Sequence, residues 1–397
     1  MSTTARAHGM DGTLVEPDWL PLDLAEVRAL LSLYPGLGEP VEILSVSPRP
    51  FSAASVVKAG SRDVFIKRHH RTVRDREGLL EEHRFLNYLH ARGAPVPRVF
   101  AAASGETAIE RGEWTYEVHE APKGVDIYED ALSWTPFRSS AHARSAGETL
   151  ARLHLASHGF DAPRRKPQPL VASFTIFGAQ DPVVAMERYM AARPALDEDA
   201  VARAACDEAL DLLAPFHAEL LPLLPALKPL WTHNDLHASN LLWSDASDEA
   251  HAVAVIDFGL ADRTNAVHDL AQAIERNIVE WLALREGTEA FDDVPVHLDH
   301  LHALLDGYES VRPLRDEEAT ALKPMTALCH AEFALTEADY LLGVLHSEEK
   351  ARVASIDYLL GHARWFRGVG GKKLLEAIDR WAETRKPRGA APMGAEE

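Results

Sequence analysis

Trp231-Thr232-His233-Asn234-Asp235-Leu236-His237-Ala238-Ser239-Asn240-Leu241-Leu242-Trp243 is the stretch on which the reading of this chain turns. It sets a histidine, an aspartate and an asparagine in the order His-x-Asp-x-x-x-x-Asn. Val255-Ile256-Asp257-Phe258-Gly259 follows shortly after. Apolar residues flank both segments, so each reads as a buried strand end or loop that projects polar groups into a cleft. Taken singly, Asp and Asn are ordinary turn residues. Three of them in this order between apolar strands point to a built site.

The residue types suit phosphoryl transfer. That reaction needs a group that orients and deprotonates an attacking hydroxyl. It also needs oxygen ligands for a magnesium ion that bridges nucleotide phosphates. Asp235 suits the first task. Asn240 and Asp257 suit the second, because hard cations take carboxylate and amide oxygens. Gly259 lets the chain turn away behind the ligand.

Toward the N-terminus the sequence is β-rich. Residues 1–21 are polar and irregular and predict a loose start. An amphipathic helix is expected over Leu22–Leu33. Strands are expected at Val41–Val46, Ser55–Lys58, Val64–Lys67, Arg98–Ala102 and Trp114–Glu120. Between them, Asp75–Arg92 has a helical apolar pattern that Gly93 and Pro95-Val96-Pro97 end. Pro122-Lys123-Gly124 then breaks the chain.

Toward the C-terminus helical patterns take over, with one β interlude from Leu230 to Ile256. Helices are expected at His142–Ser157, Val183–Arg193, Ala200–Leu224, His268–Glu286, Leu298–Val311, Pro324–Val344, Lys350–Phe366 and Lys372–Glu383. The tail Lys386–Glu397 is rich in Pro, Gly and Ala and predicts disorder. These patterns give an α+β bilobal architecture: a small lobe over 1–120, and a helical lobe over 121–386.

Composition limits the partners. The chain has 397 residues, enough for two lobes, and a net charge of −20. That charge disfavours a nucleic-acid backbone or an anionic membrane. No apolar run approaches a bilayer span. Two distant cysteines, Cys206 and Cys329, predict neither a disulfide framework nor a cysteine zinc site and favour a reducing cytoplasm.

Together the two motifs resemble those of the aminoglycoside phosphotransferase, choline kinase and homoserine kinase superfamily. The resemblance runs from about Val41 to Val344. It implies a protein-kinase-like fold, ATP (or GTP) as donor, Mg2+, and a small-molecule hydroxyl acceptor, in a monomer or homodimer. It also implies that Lys67, in Phe65-Ile66-Lys67, contacts the nucleotide phosphates. Glu82 would be its carboxylate partner, with Glu81 the competing assignment. Tyr116 to Ala121, including Glu120, would hold the adenine. His233 and Asp269 would brace the catalytic loop. The turn Phe51-Ser52-Ala53-Ala54-Ser55 would cover the phosphates, with Ser52 or Ser55 donating to them.

The sequence departs from protein kinases in two ways. The phosphate-covering turn has no glycine. Asp269 follows Asp257 by twelve positions and no Ala-Pro-Glu motif intervenes, so there is no room for an activation loop. The missing motif and the short spacing both argue against a protein substrate, whereas the small residues of the turn still permit close approach to phosphate. For the acceptor, Glu332, Thr336 and Asp339 fall at i, i+4 and i+7, on one helix face. With His237 they form a candidate site for an amine-bearing alcohol.

Two rival readings remain open at this point. His233-x-Asp235-x-His237 could ligate zinc or a dimetal centre in a hydrolase, but that leaves Asn240, Asp257 and Lys67 unexplained. A pseudokinase that binds nucleotide without catalysis is the other, and retention of the core polar residues speaks against it.

Overall fold

The computed structural model describes residues 17–282 and 294–385. A short helix α1 (Leu24–Leu31) precedes a five-stranded antiparallel sheet. Its strands are β1 (Pro40–Val46), β2 (Ala53–Ala59), β3 (Arg62–His70), β4 (Ala108–Arg111) and β5 (Trp114–Glu120), in the order β1-β2-β3-β5-β4. Helix α2 (Arg76–Ala91) lies between β3 and β4 in sequence. Asp75 caps it, accepting the Gly78 N–H at 2.7 Å.

Register decides what faces the cleft. Lys67 on β3 stands opposite Glu117 on β5 and opposite Ala54 on β2. Paired residues share a face of the sheet. Lys67 and Glu117 therefore project together.

Arg98–Ala102 does not form a full strand. It runs beside the end of β5, with Phe100 N–H on Val118 O and Arg98 O accepting from Glu120, both at 2.8 Å. Only Val99 bridges, to His119. The remaining edge of β5 belongs to β4, a strand that the sequence reading lacked.

The second lobe is helical. It comprises α3 (Ser140–Ser157), α4 (Pro182–Ala191), α5 (Pro194–Glu198), α6 (Ala200–Leu220), α7 (Ala266–Ile278), α8 (Leu298–Val311), α9 (Asp316–Leu328), α10 (His330–Gly343), α11 (Glu348–Arg352), α12 (Gly361–Arg367) and α13 (Val369–Thr384). A π-helical segment, Val353–Leu360, joins α11 to α12. Two small ribbons hold the site: β6 (Pro229–Thr232) pairs with β9 (Asp262–Asn265), and β7 (Leu241–Trp243) with β8 (Ala252–Val255). Helices α3 and α8 touch backbone to backbone. A Cβ on Gly147 would lie 2.0 Å from Leu304 O, and one on Gly307 2.2 Å from Arg144 O. Only glycine fits this crossing.

The helix expected over Pro324–Val344 is two helices. Glu318 fixes an earlier start at Asp316 by accepting the Arg315 N–H at 3.0 Å. Pro324 then sits inside α9, and Cys329 separates α9 from α10. The helix expected to run to Glu286 ends at Ile278, where Val279 turns extended. The Trp281 indole caps it by donating to Glu275 O at 2.7 Å. Residues 283–286, most of the loose start at 1–21, and the tail 386–397 lie outside the described residues.

The larger apolar core includes α2 as well as the helical lobe. Phe85 of α2 lies 5.3 Å from Trp231 and 5.9 Å from Phe258, ring to ring. The helix that carries Glu82 is thus clamped to the lobe that carries Asp257.

Candidate active site

The loop between β6 and β7 is held through its backbone and through the side chains of His233 and Asn234, the latter donating to Ala172 O and Leu260 O. Asp269, buried at the start of α7, accepts the His233 N–H at 2.9 Å and the Asn234 N–H at 2.7 Å. His154 fixes Asp269 in turn, its Nε2 2.9 Å away and its Nδ1 2.7 Å from the Tyr308 hydroxyl. Asn277, two turns further along α7, accepts the Ala238 N–H and donates to Leu236 O. Asn234 takes φ +63, a left-handed turn that asparagine tolerates.

His233 spends both ring nitrogens on this loop. Nε2 donates to Ile256 O at 2.9 Å, and Nδ1 accepts the Asp235 N–H at 3.2 Å. Neither is left for a metal in this arrangement. The zinc-hydrolase reading loses its first ligand for that reason.

Asn240 lines the cleft between the lobes, and Asp235 lies directly beside it. The Asn240 amide donates to Asp235 O at 2.9 Å and to Asp235 Oδ2 at 3.3 Å. This leaves its amide oxygen for a cation. Asp257 follows β8 with φ +59. Its Oδ1 accepts from the Lys67 ammonium at 2.9 Å, across 190 positions of sequence. Enclosure between the lobes opposes ionisation of Asp257. The ammonium of Lys67 outweighs it and holds the carboxyl below the usual range. Arg74 and Arg165 hold the turn behind it, donating to Gly259 O at 2.6 and 3.0 Å.

The cleft has a volume of about 370 Å³. Lys67, Glu82, Ser52, Ser55, Asn240 and Asp257 all line it. The Ser55 hydroxyl is buried with no partner among the described residues. Lys67 hydrogen-bonds to Asp257 rather than to Glu82, although Glu82 faces the same space. Glu81 turns away to Arg165, at 3.6 Å. Glu120 is exposed at the end of β5, and the wall beside it is made by His119, Ala121 and Pro122.

The acceptor side differs from the sequence reading. Glu332 is buried, and its Oε1 accepts the N–H groups of Thr175 and Ile176, the latter at 2.5 Å, and the Thr175 hydroxyl at 3.1 Å. Asp339 faces Arg193 at 3.6 Å. The face of α10 that reads as solvated or ligand-binding instead anchors the segment between α3 and α5. His237 does lie by Asp235, with Nε2 3.6 Å from Oδ2.

Sequence reasoning missed Arg276. Its Nη2 is 3.4 Å from Asp235 Oδ1, and its guanidinium packs over Phe333 at 3.8 Å and Trp134 at 4.1 Å. Nε and Nη2 have no hydrogen-bond partner although the side chain is only 2% exposed. Burial opposes ionisation of Asp235, and His237 and Arg276 reverse this and hold the carboxyl below its ordinary range. Glu337, on the other side of α10 from Glu332, is pushed up to about 7 by burial, with Asp235 and Asp18 adding to the rise and Arg276 opposing it. The missed signal was the number of polar residues on α7, every one of them buried.

Residues 51–314 match the sequence profile of the phosphotransferase enzyme family. The chain belongs to that family. A homoserine kinase of Rhodospirillum rubrum is 26% identical over 259 residues, which is 63% of this chain and 66% of that kinase. Among solved structures, a microcompartment-associated aminopropanol kinase superposes with a TM-score of 0.57 at 18% identity, covering 90% of this chain and 99% of that one. The amicoumacin kinase hAmiN, in complex with AMP-PNP, Ca2+ and Ami, gives 0.53 at 15% identity, covering 88% and 95%. These superpositions show that the phosphotransferase chain has the bilobal kinase-like fold.

Proposed function

We propose that this phosphotransferase is a small-molecule kinase that moves the γ-phosphoryl group of ATP to an alcohol. One observation carries the reading: Lys67 from the sheet meets Asp257 from the helical lobe at 2.9 Å, beside Asn240 and Asp235. Asp235 would orient the acceptor hydroxyl and take its proton. Asn240 and Asp257 would hold magnesium, which supplies neutralisation of the phosphate charge when bound. Lys67 would steady the phosphates, and Ser55 would donate to them. GTP fits the same groups. A neighbour solved with AMP-PNP and a divalent cation supports a nucleotide in this cleft.

The acceptor end favours a compact alcohol with an anionic group. Arg276 offers a buried guanidinium with unmet donors beside the base. Glu337, which faces Arg276 and Asp235 electrostatically, suits an ammonium on the same molecule. A hydroxy amino acid meets both demands, in keeping with the homoserine kinase relative.

Three probes test this. L-homoserine carries carboxylate and ammonium, 4-hydroxybutyrate lacks the ammonium, and 3-aminopropan-1-ol lacks the carboxylate. With Mg-ATP, and phosphate esters counted by mass spectrometry, the order of kcat/KM should be homoserine, then hydroxybutyrate, then aminopropanol. Arg276→Met should lower the first two by about tenfold or more, the scale of a lost charge-assisted hydrogen bond, beyond whatever loss all three share through the weaker hold on Asp235. Preference for aminopropanol would remove Arg276 from the acceptor site. No phosphate ester from these or from a wider set of sugars, choline analogues and aminoglycosides would remove the kinase reading itself.

A further inference from the structure

Behind the cleft lies a cluster that phosphoryl transfer does not use. The Glu117 carboxylate is buried on β5 with three imidazoles against it. His83 Nε2 and His119 Nε2 lie 2.9 and 2.7 Å from Oε2, and His69 Nε2 lies 3.0 Å from Oε1. The four residues come from β3, α2 and β5, and all are at least nine-tenths buried. The ligand atoms of His83, Glu117 and His119 fall within 4.8 Å of one another. Thr107 Oγ1 sits 2.9 Å from His83 Nδ1 and keeps the other ring nitrogen turned inward.

Neutral imidazoles can hydrogen-bond this carboxylate, but they do not balance its charge. The nearby Lys67 ammonium does not hydrogen-bond to Glu117; its bond goes to Asp257. A buried carboxylate in this position calls for a cation. Two imidazole nitrogens and one carboxylate oxygen, without thiolate, are a donor set that zinc takes, with a fourth position left open. Ligand bonds of roughly 2.0–2.2 Å need donor separations of about 3.3 Å. The His83 and His119 nitrogens, 2.9 and 2.7 Å from Oε2, would have to move away from that oxygen by about half an ångström.

We propose that His83, Glu117 and His119 bind one divalent transition-metal ion, zinc by preference, which ties α2 to the sheet, while His69 holds the second oxygen of the Glu117 carboxylate. The placement gives the ion a consequence. His83 adjoins Glu82, His69 is two residues from Lys67, and Glu117 pairs with Lys67 across the strands. His119 and Glu117 also line the nucleotide cleft. Occupancy would set the distance between the helix that carries Glu82 and the strand that carries Lys67. The inference does not depend on the identity of the acceptor.

The test uses the full chain with any affinity tag removed. The protein is stripped with chelator, incubated with zinc sulfate, desalted and analysed for metal. About one zinc per chain should be retained, with a higher melting temperature. His83→Ala with His119→Ala should retain none and show no zinc-dependent shift. Cobalt loading of the unaltered protein needs no variant, and it should give the visible absorption of a four-coordinate site. Zinc loading should tighten AMP-PNP binding several-fold in the unaltered chain. Failure to retain zinc together with a missing cobalt spectrum would show that a proton alone supplies the charge, and would end the proposal. Equal zinc retention by the double variant would place the ion elsewhere and end it too.

Discussion

The two ends of the cleft handle charge differently. At the nucleotide end, Lys67 and Asp257 form a close pair at 2.9 Å, with the aspartate side chain 41% exposed. Opposite charges meet directly there, and the pair opens to solvent. At the acceptor end, Arg276 is sealed and lies 3.4 Å from Asp235 and 3.6 Å from Glu275 without a hydrogen bond to either from Nε or Nη2. Glu275 is pushed up to about 7 by burial. His362 is driven well below its ordinary value, again mainly by burial. The two meet 2.5 Å apart, where burial disfavours the charged form of each. One end thus keeps an open ion pair that phosphates and a metal can rearrange. The other keeps a buried guanidinium beside an ionised Asp235, while burial raises Glu275 and Glu337 around it.

The sharpest way to break this comparison is at the residue between the ends. Asp235→Asn should lower turnover by at least about a hundredfold, the usual scale for losing a positioned base. Nucleotide affinity, set by the other end, should stay within a few-fold. Single-turnover kinetics with a titrated nucleotide would check both. Near-normal turnover would take the base role from Asp235.

A smaller effect is expected from Glu332→Ala. This carboxylate holds backbone N–H groups of Thr175 and Ile176. Its loss leaves them buried and unpaired, at a cost of about 1–3 kcal/mol for each orphaned group. Chemical denaturation should therefore show a clear loss of stability while the acceptor KM stays put. Full stability with a raised KM would return Glu332 to the acceptor site.

The smallest effect is a pH dependence at Glu275. Its folded pKa is raised from 4.5 to about 7, so the folded chain holds an extra proton between those values. The stability this gives is fully present below pH 4.5 and is lost as pH rises through 7. Glu275→Gln keeps the neutral form at every pH. The variant should gain melting temperature relative to the unaltered chain between pH 5 and pH 8. A constant difference across that range would show an ionised Glu275 and weaken the contrast between the two ends.

The nucleotide end was legible before the structure because its residues sit at strand ends and in short loops. Spacing there is dictated by local backbone geometry, so His-x-Asp-x-x-x-x-Asn and the following Asp257 are visible in linear order. Lys67 was legible for the same reason, at the end of an apolar strand. The acceptor end was not. Glu332, Thr336 and Asp339 share a helix face, as their spacing requires, but spacing says nothing about what packs against that face. The answer was the Thr175–Ile176 backbone. Arg276 was hidden because a helix with polar residues on every side reads as partly solvated, while α7 is buried throughout.

The sequence by itself determined the order of local elements, the two-lobed α+β plan and the polar triad Asp235, Asn240 and Asp257. Those follow from periodicity, caps and turns, which act over a few residues. Only the tertiary structure decided which carboxylates stay charged, which face of α10 is used internally, and that Lys67 bonds Asp257 rather than Glu82. Each of these depends on burial and on partners far away in sequence. The free energy of a charge is set by what surrounds it in space, and no linear pattern records that.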